Sequence, residues 1–342
     1  PLPSTRRLLL SSAALAAGLL FVLEPFFGRL LLPRLGGSAG VWTTCLCFFQ
    51  GALLVGYLLA HAAQRLPPRG QALAYLALLA LGALTLPIGL APDWAPDPAR
   101  PVPGLIWALT RNLGLPFLAL AAASPLLQAL ASRGGGRAQR VLAASNAGSL
   151  LGLLAYPFLL EPFFDLGGQA RGWAIGYVGL GLLVVFVFRR SRGPASTDPA
   201  PEGPPPSAEL TPRDPPPAET SLSSRRWLGW ALLAGVPAAL LYAVTTTLST
   251  FFPPLPLLWV LPLALYLGGM ALAFARARPG EEDSGRLQGV VALSAAALLV
   301  GAFLLPALAR RSTWLLAALA GHLLGFGLLA YGLHRQLARS GP

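Results

Sequence analysis

A series of ten apolar segments, separated by short polar loops, constrains the fold of this chain more than any other feature. Each segment has roughly the 20 residues that an α-helix needs to cross a bilayer. The predicted membrane spans are residues 8–32, 41–63, 72–90, 104–131, 141–162, 172–188, 227–248, 257–274, 287–308 and 314–333. The pattern therefore predicts an all-α, polytopic membrane helix bundle with about ten transmembrane helices.

The composition supports this class and argues against a soluble or nucleic-acid-binding protein. Of the 342 residues, 55% are hydrophobic and only 11% are charged, whereas soluble domains carry about 25% charged residues. The net charge of +12 depends on arginine alone, because the chain has no lysine. Most arginines lie in short loops between apolar segments, so we exclude nucleic acid as a partner and expect a lipid bilayer. A signal peptide is the alternative for the first segment, but that segment is too long for one.

The distribution of arginine predicts the orientation. If the N-terminus is cytoplasmic, the segments on that side hold 18 arginines and the opposite loops hold 6, with Arg111 inside the fourth span. Positive residues are enriched in cytoplasmic loops of membrane proteins. We therefore expect a multi-pass protein of the bacterial inner membrane, with its N-terminus and its central linker in the cytoplasm.

That linker, residues 191–224, divides the chain. Ten prolines lie between Pro194 and Pro217, interspersed with Ser, Thr, Glu and Asp. Such a segment cannot bury enough apolar surface to offset its ordering entropy, so we predict that it is disordered. It separates a six-span bundle, residues 1–190, from a four-span bundle, residues 225–342. This 6+4 arrangement is a major-facilitator plan that lacks two spans, so we expect a truncated second bundle and a longer parent protein.

The polar residues that flank the apolar segments carry a more specific resemblance. The longest motif runs from Gly28 to Gln50 and continues through Tyr57-Leu-Leu-Ala-His61. Further motifs are Gly114-Leu-Pro-Phe117, Ser124-Pro-Leu-Leu-Gln128, Ser145-Asn-Ala-Gly-Ser149, Tyr156-Pro157, Leu160-Glu-Pro162, Thr245-Thr-Thr-Leu-Ser-Thr250 and the segment from Pro256 to Tyr266. Together they resemble the membrane half of bacterial fused major-facilitator/spermidine-synthase proteins.

This resemblance implies a transporter-like domain to which family members join a soluble domain similar to spermidine synthase. Such a domain needs a strand and a glycine-rich turn for its nucleoside cosubstrate. The glycine cluster here, Gly134-Gly-Gly136, lies in a short loop between two spans. We therefore predict no aminopropyltransferase site and no catalytic residue in this chain. We also expect no cofactor and no metal site. Cys45 and Cys47 lie two apart on one predicted helix, so they cannot form a disulfide framework or a zinc site.

Three charged residues inside the spans are the first candidates for substrate binding: Glu24, Arg111 and Glu161. A charge within a bilayer is costly, so it should face a cavity or a partner. For Glu24 the alternative is an interfacial, protonated or Arg29-paired residue. For Arg111 we expect Glu24 as partner, and the alternative is a side chain that snorkels to the interface. Glu161 repeats the Leu-Glu-Pro-Phe-Phe sequence that surrounds Glu24; it either shares a cation site with Glu24 or is simply hydrated.

Asn146 and Gln50 are the uncharged candidates for substrate binding. Asn146 accompanies small residues four apart, Ser145/Ser149 and Gly148/Gly152, on the fifth span. That spacing favours close helix packing over ligand contact. Gln50, His61 and Gln128 are single polar residues for which packing or interfacial roles are favoured, and His322 lies mid-span, where it could titrate.

These observations lead to two hypotheses for function. The first is a transporter-like domain that binds or moves a small cationic metabolite such as a polyamine, supported by the 6+4 arrangement and the intramembrane carboxylates. The second is a non-transporting anchor or scaffold for a cytoplasmic aminopropyltransferase-like domain, supported by the resemblance and by the small number of polar residues. A purely structural subunit is a third interpretation.

Overall fold

The computed structural model describes residues 3–35, 39–91, 94–95, 101–133, 138–191, 224–251, 260–276, 285–308 and 312–340. Within these ranges all regular structure is helical and no β-strand occurs, which confirms the all-α class. Residues 192–223, nearly all of the predicted linker, and the Gly134–Gly136 loop lie outside the described residues. The prediction of disorder in the linker therefore stays a prediction.

The helices begin and end close to the predicted spans. They are α1 Pro3–Leu35, α2 Ala39–Ala63, α3 Pro68–Ala83, α4 Pro101–Leu109, α5 Leu115–Arg133, α6 Ala138–Ala155, α7 Glu161–Phe163, α8 Leu166–Ser191, α9 Ser224–Phe251, α10 Val260–Arg276, α11 Gly285–Leu308 and α12 Ser312–Ser340. A π-helical turn, Thr110–Gly114, joins α4 to α5, and a second, Tyr156–Leu160, joins α6 to α7.

Seven helices in the described part are long and apolar enough to cross a membrane, judged by length and composition. Shorter apolar helices lie at Val260–Arg276 and Gln288–Gly301. The predicted third span differs most from the structure, because α3 ends at Ala83 and not near residue 90. Pro87 explains this end, since a proline disfavours helical geometry in the residue before it and cannot donate a backbone hydrogen bond.

In the first half, α1 is the central helix. It packs mainly against α6, α8 and α5, while α2 and α3 pack against α5. Its buried side chains include Leu23, Phe27 and Leu31, which belong to one continuous apolar core. Trp173 of α8 binds to α1, because its Nε1 donates a 2.9 Å hydrogen bond to the carbonyl oxygen of Leu19.

The contact between α1 and α6 is close enough to bring backbone against backbone. A Cβ atom on Gly148 would collide with the carbonyl of Ala14, and one on Gly152 would collide with the carbonyl of Gly18. A Cβ on Gly18 would in turn lie 3.1 Å from the carbonyl oxygen of Gly148. The prediction that small residues four apart allow close helix packing is therefore confirmed.

In the second half, α12 is central and packs against α9, α10 and α11. The two halves meet where α6 lies against α10. Leu153 of α6 and Leu267 of α10 are buried in this contact, and Phe21 of α1 packs at its edge. The centre of the molecule is thus an interface between two helix groups, each arranged around one helix.

Candidate functional site

Glu24 lies within the apolar helix α1, between Leu23 and Pro25. Its side chain is half-buried, and its carboxylate is close enough to the thiol of Cys45 on α2 to act on it electrostatically. Glu24 forms no ion pair with any described residue. A carboxylate at the centre of a membrane helix costs on the order of 2.5–3.5 kcal/mol on insertion scales, and a bound cation or a proton would offset the cost for Glu24.

The expected pair between Glu24 and Arg111 is wrong. Arg111 has an exposed side chain and forms no ion pair among the described residues. It lies in the π-helical turn after α4, and α4 packs against α2, whereas α1 packs against α5. The span that contains Arg111 does pack against α1, but through α5, which follows this turn, and the Arg111 side chain is exposed.

Glu161 has a different partner, Arg29 at the far end of α1. A guanidinium nitrogen of Arg29 lies 3.7 Å from a carboxylate oxygen of Glu161 and donates a 3.2 Å hydrogen bond to the Glu161 carbonyl oxygen. The side chains are 38% and 43% exposed, so solvent screens the pair. Arg29 therefore forms its ion pair with Glu161 and not with Glu24.

Tyr156 is a residue beside this pair that sequence reasoning missed. Its side chain is only 3% exposed. Its hydroxyl group makes no hydrogen bond of acceptable geometry in the described structure, although Arg29 and Glu161 both act on it electrostatically. Tyr156 opens the second π-helical turn. The available signal was the Tyr156-Pro157 dipeptide, which Phe158 and Leu159 separate from Leu160-Glu-Pro162.

Both π-helical turns adjoin prolines and candidate residues. Pro116 follows the turn that contains Arg111, and Pro157 lies inside the turn that precedes Glu161. A proline lacks the N–H that would bond to the carbonyl four residues earlier, which explains why the regular α-helical pattern changes there. Such turns are often found at functional sites.

The uncharged candidates do not converge on the charged ones through any described hydrogen bond. Asn146 is buried and donates a 2.9 Å hydrogen bond from Nδ2 to the Leu142 carbonyl of its own helix. Gln50 is exposed on α2. Because it is buried and bonded within its own helix, Asn146 contributes to the packed face of α6. Gln128 bonds to Ser124 at 3.0 Å on its own helix, and His61 is exposed.

Two histidines of α12 are buried. His322 is 7% exposed, its Nδ1 has no hydrogen-bond partner among the described residues, and it packs at Gly301 of α11. His334 is completely buried, and neither of its ring nitrogens has a partner there. His334 was missed because the last span was predicted to end at residue 333, whereas α12 continues to Ser340.

No group of three or more His, Cys, Asp or Glu side chains within the described ranges could hold a metal ion. Of the two cysteines, Cys45 is buried and Cys47 is exposed. A scan against known protein families and a search among curated proteins return no match. The resemblance to fused major-facilitator/spermidine-synthase proteins therefore depends on the sequence motifs alone.

Proposed function

We propose that this chain is a transporter-like membrane domain that binds, and moves, a small organic cation such as a polyamine. The observation that carries the proposal is Glu24, a carboxylate inside a membrane-length apolar helix with no ion-pair partner among the described residues. The proposed orientation places the N-terminus and the linker on the cytoplasmic side of a bacterial inner membrane, as the arginine distribution favours.

Neither Arg29, which is close in sequence, nor Arg111, the expected partner, competes with a ligand for Glu24. Arg29 is engaged by Glu161, and Arg111 has an exposed side chain. An unpaired charge in an apolar medium costs several kcal/mol, and a bound cation with further hydrogen bonds offsets much of that cost. An ammonium group of a polyamine has the charge and the donors that this carboxylate needs.

The helix arrangement also supports a transporter-like domain. One helix group surrounds α1 and another surrounds α12, and they meet through α6 and α10. Two groups that join at one interface suit a mechanism in which they rock against each other around a central site. Interrupted helices, here the two π-helical turns, are common near such sites.

The test is spermidine binding to the purified chain in lipid nanodiscs, measured by titration calorimetry. Glu24→Gln removes the charge and keeps the shape of the side chain, so it should weaken binding by about tenfold or more, which is about 1.4 kcal/mol. Asp165→Asn is the matched control, because Asp165 is an exposed carboxylate that forms no ion pair among the described residues. Its affinity should stay within about threefold of that of the unmodified chain. Absence of spermidine binding, or equal losses in both variants, would refute the proposal.

A second candidate function is a membrane anchor that holds a cytoplasmic aminopropyltransferase-like domain. The observation that favours it is the scarcity of acidic groups: within the described ranges the carboxylate side chains are Glu24, Glu161 and Asp165. An anchor would show no spermidine binding and no uptake into proteoliposomes. Spermidine binding that Glu24→Gln abolishes would exclude the anchor as the whole function.

A further inference from the structure

His334 is a buried histidine to which the described part of the fold offers no hydrogen-bond partner. It is 0% exposed, and neither Nδ1 nor Nε2 has a partner among the described residues. An unpaired buried donor or acceptor costs about 1–3 kcal/mol, and a neutral imidazole carries one of each. A phenylalanine would fill the same space without this cost, so packing alone does not account for an imidazole here.

The ring of His334 packs against Tyr266 of α10. Their ring centroids are 4.9 Å apart, and the planes cross at 80° in an edge-to-face contact. Tyr266 also packs against the cluster in which Leu153 of α6 meets Leu267 of α10. His334 therefore lies one side chain away from the place where the two helix groups meet.

No carboxylate occurs in the described part of the second half, residues 224–340, so no acidic side chain there balances a charge on His334. Tyr266 is the titratable group that faces it from α10, and the described side chains of α11 include no titratable group. The remaining titratable or charged side chains on the packed helices are Arg226 and Tyr242 of α9 and Arg276 of α10, all exposed, and His322, Tyr331, Arg335 and Arg339 of α12 itself.

Protonation would turn both ring nitrogens into donors and add a positive charge. In the packed arrangement neither donor has an acceptor among the side chains and backbone groups that the structure describes, and burying an unpaired charge costs far more than burying a neutral group. A hydrated imidazole, in contrast, binds protons near neutrality. Proton binding therefore favours any arrangement in which α10 and α12 move apart and water reaches the ring.

We propose that His334 is a proton-binding site whose occupancy loosens the contact between α12 and α10. The proton comes from bulk water and adds to the ring nitrogen that holds the lone pair. The closed contact is favoured above the usual titration range of histidine and is weakened as pH falls through that range. This inference goes beyond cation binding at Glu24 and does not depend on it.

The test uses the full chain in lipid nanodiscs and measures hydrogen–deuterium exchange of α10, Val260–Arg276, at about pH 8 and about pH 5.5. His334→Phe keeps an aromatic ring against Tyr266 but cannot take up a proton. Comparing variants at one pH cancels the intrinsic pH dependence of exchange. We expect the ratio of α10 exchange rates, unmodified chain over His334→Phe, to be about tenfold larger at about pH 5.5 than at about pH 8.

His322→Phe is the matched control, because His322 is also buried on α12 but packs against α11. It should retain the pH response of the unmodified chain.

Should His334→Phe fold poorly, His334→Gln supplies a hydrogen-bonding side chain that does not titrate and should likewise lose the response. A nitrogen-15 spectrum of labelled histidine adds a direct measure of protonation. The proposal would be overturned if the ratio of α10 exchange rates between the unmodified chain and His334→Phe were the same at both pH values.

Discussion

Arg29 on α1 forms an ion pair with Glu161 at the start of α7, although the two residues are 132 positions apart in the chain. The pair joins the end of the central helix of the first half to the segment that follows α6. It also removes Arg29 as a partner for Glu24, five residues earlier on α1. A contact between distant parts of the chain therefore determines that Arg29 does not neutralise Glu24.

The Arg29–Glu161 pair should contribute little to stability, because both side chains are well exposed. In a double-mutant cycle with Arg29→Ala and Glu161→Ala, we expect a coupling free energy of about 0.2–1 kcal/mol, decreasing at high salt. Thermal unfolding in detergent at low and high salt measures it. A coupling free energy well above this range would mean that the pair is shielded from solvent.

Gly152→Ala should destabilise the first half. The added methyl group would collide with the carbonyl of Gly18, so α1 and α6 must separate. Overpacking of this kind costs about 1–3 kcal/mol. Gly179→Ala is the matched control, because no described atom outside its own stretch of helix lies within 4 Å of the position that its Cβ would occupy. If both variants unfold at the same temperature, the close α1–α6 contact does not determine stability.

Trp173→Phe should cost about 1–2 kcal/mol, because it removes the hydrogen bond from Nε1 to the Leu19 carbonyl in a buried site. The substitution also weakens the stacking on Tyr177, whose ring centroid is 5.3 Å away. Trp227→Phe serves as control, since Trp227 is 64% exposed. The comparison is the temperature at which each variant loses its monodisperse peak in size-exclusion chromatography. An unchanged temperature for Trp173→Phe would count against a stabilising role for this bond.

Gln71→Leu should loosen the connection between α2, α3 and α5. The Gln71 amide donates to the carbonyls of Gln64 and Leu66 at 3.2 and 2.9 Å, and its Oε1 accepts a 2.8 Å hydrogen bond from Arg133. Leaving these groups unpaired costs about 1–3 kcal/mol. Faster proteolysis of the 64–67 turn is the expected readout. Gln128→Leu, which breaks one bond within α5, should have a smaller effect.

The sequence alone was sufficient for properties that depend on local pattern. Segment length and continuous apolarity predicted the helical class and most helix positions, because a bilayer-length apolar run has few other stable structures. Small residues four apart predicted the close approach at Gly148 and Gly152, since that spacing places them on one helix face. The early end of α3 was missed, although Pro87 was visible in the sequence.

Partners that come from distant parts of the chain depended on the tertiary structure. We expected Arg111 to pair with Glu24, but the Arg111 side chain is exposed, and Glu161 is the acidic group that Arg29 meets. The burial of His334 against Tyr266 was likewise invisible in the sequence. The physical reason is the same in each case. Periodicity determines which side chains share a face of one helix, whereas packing between helices determines which charges and ring nitrogens find a partner.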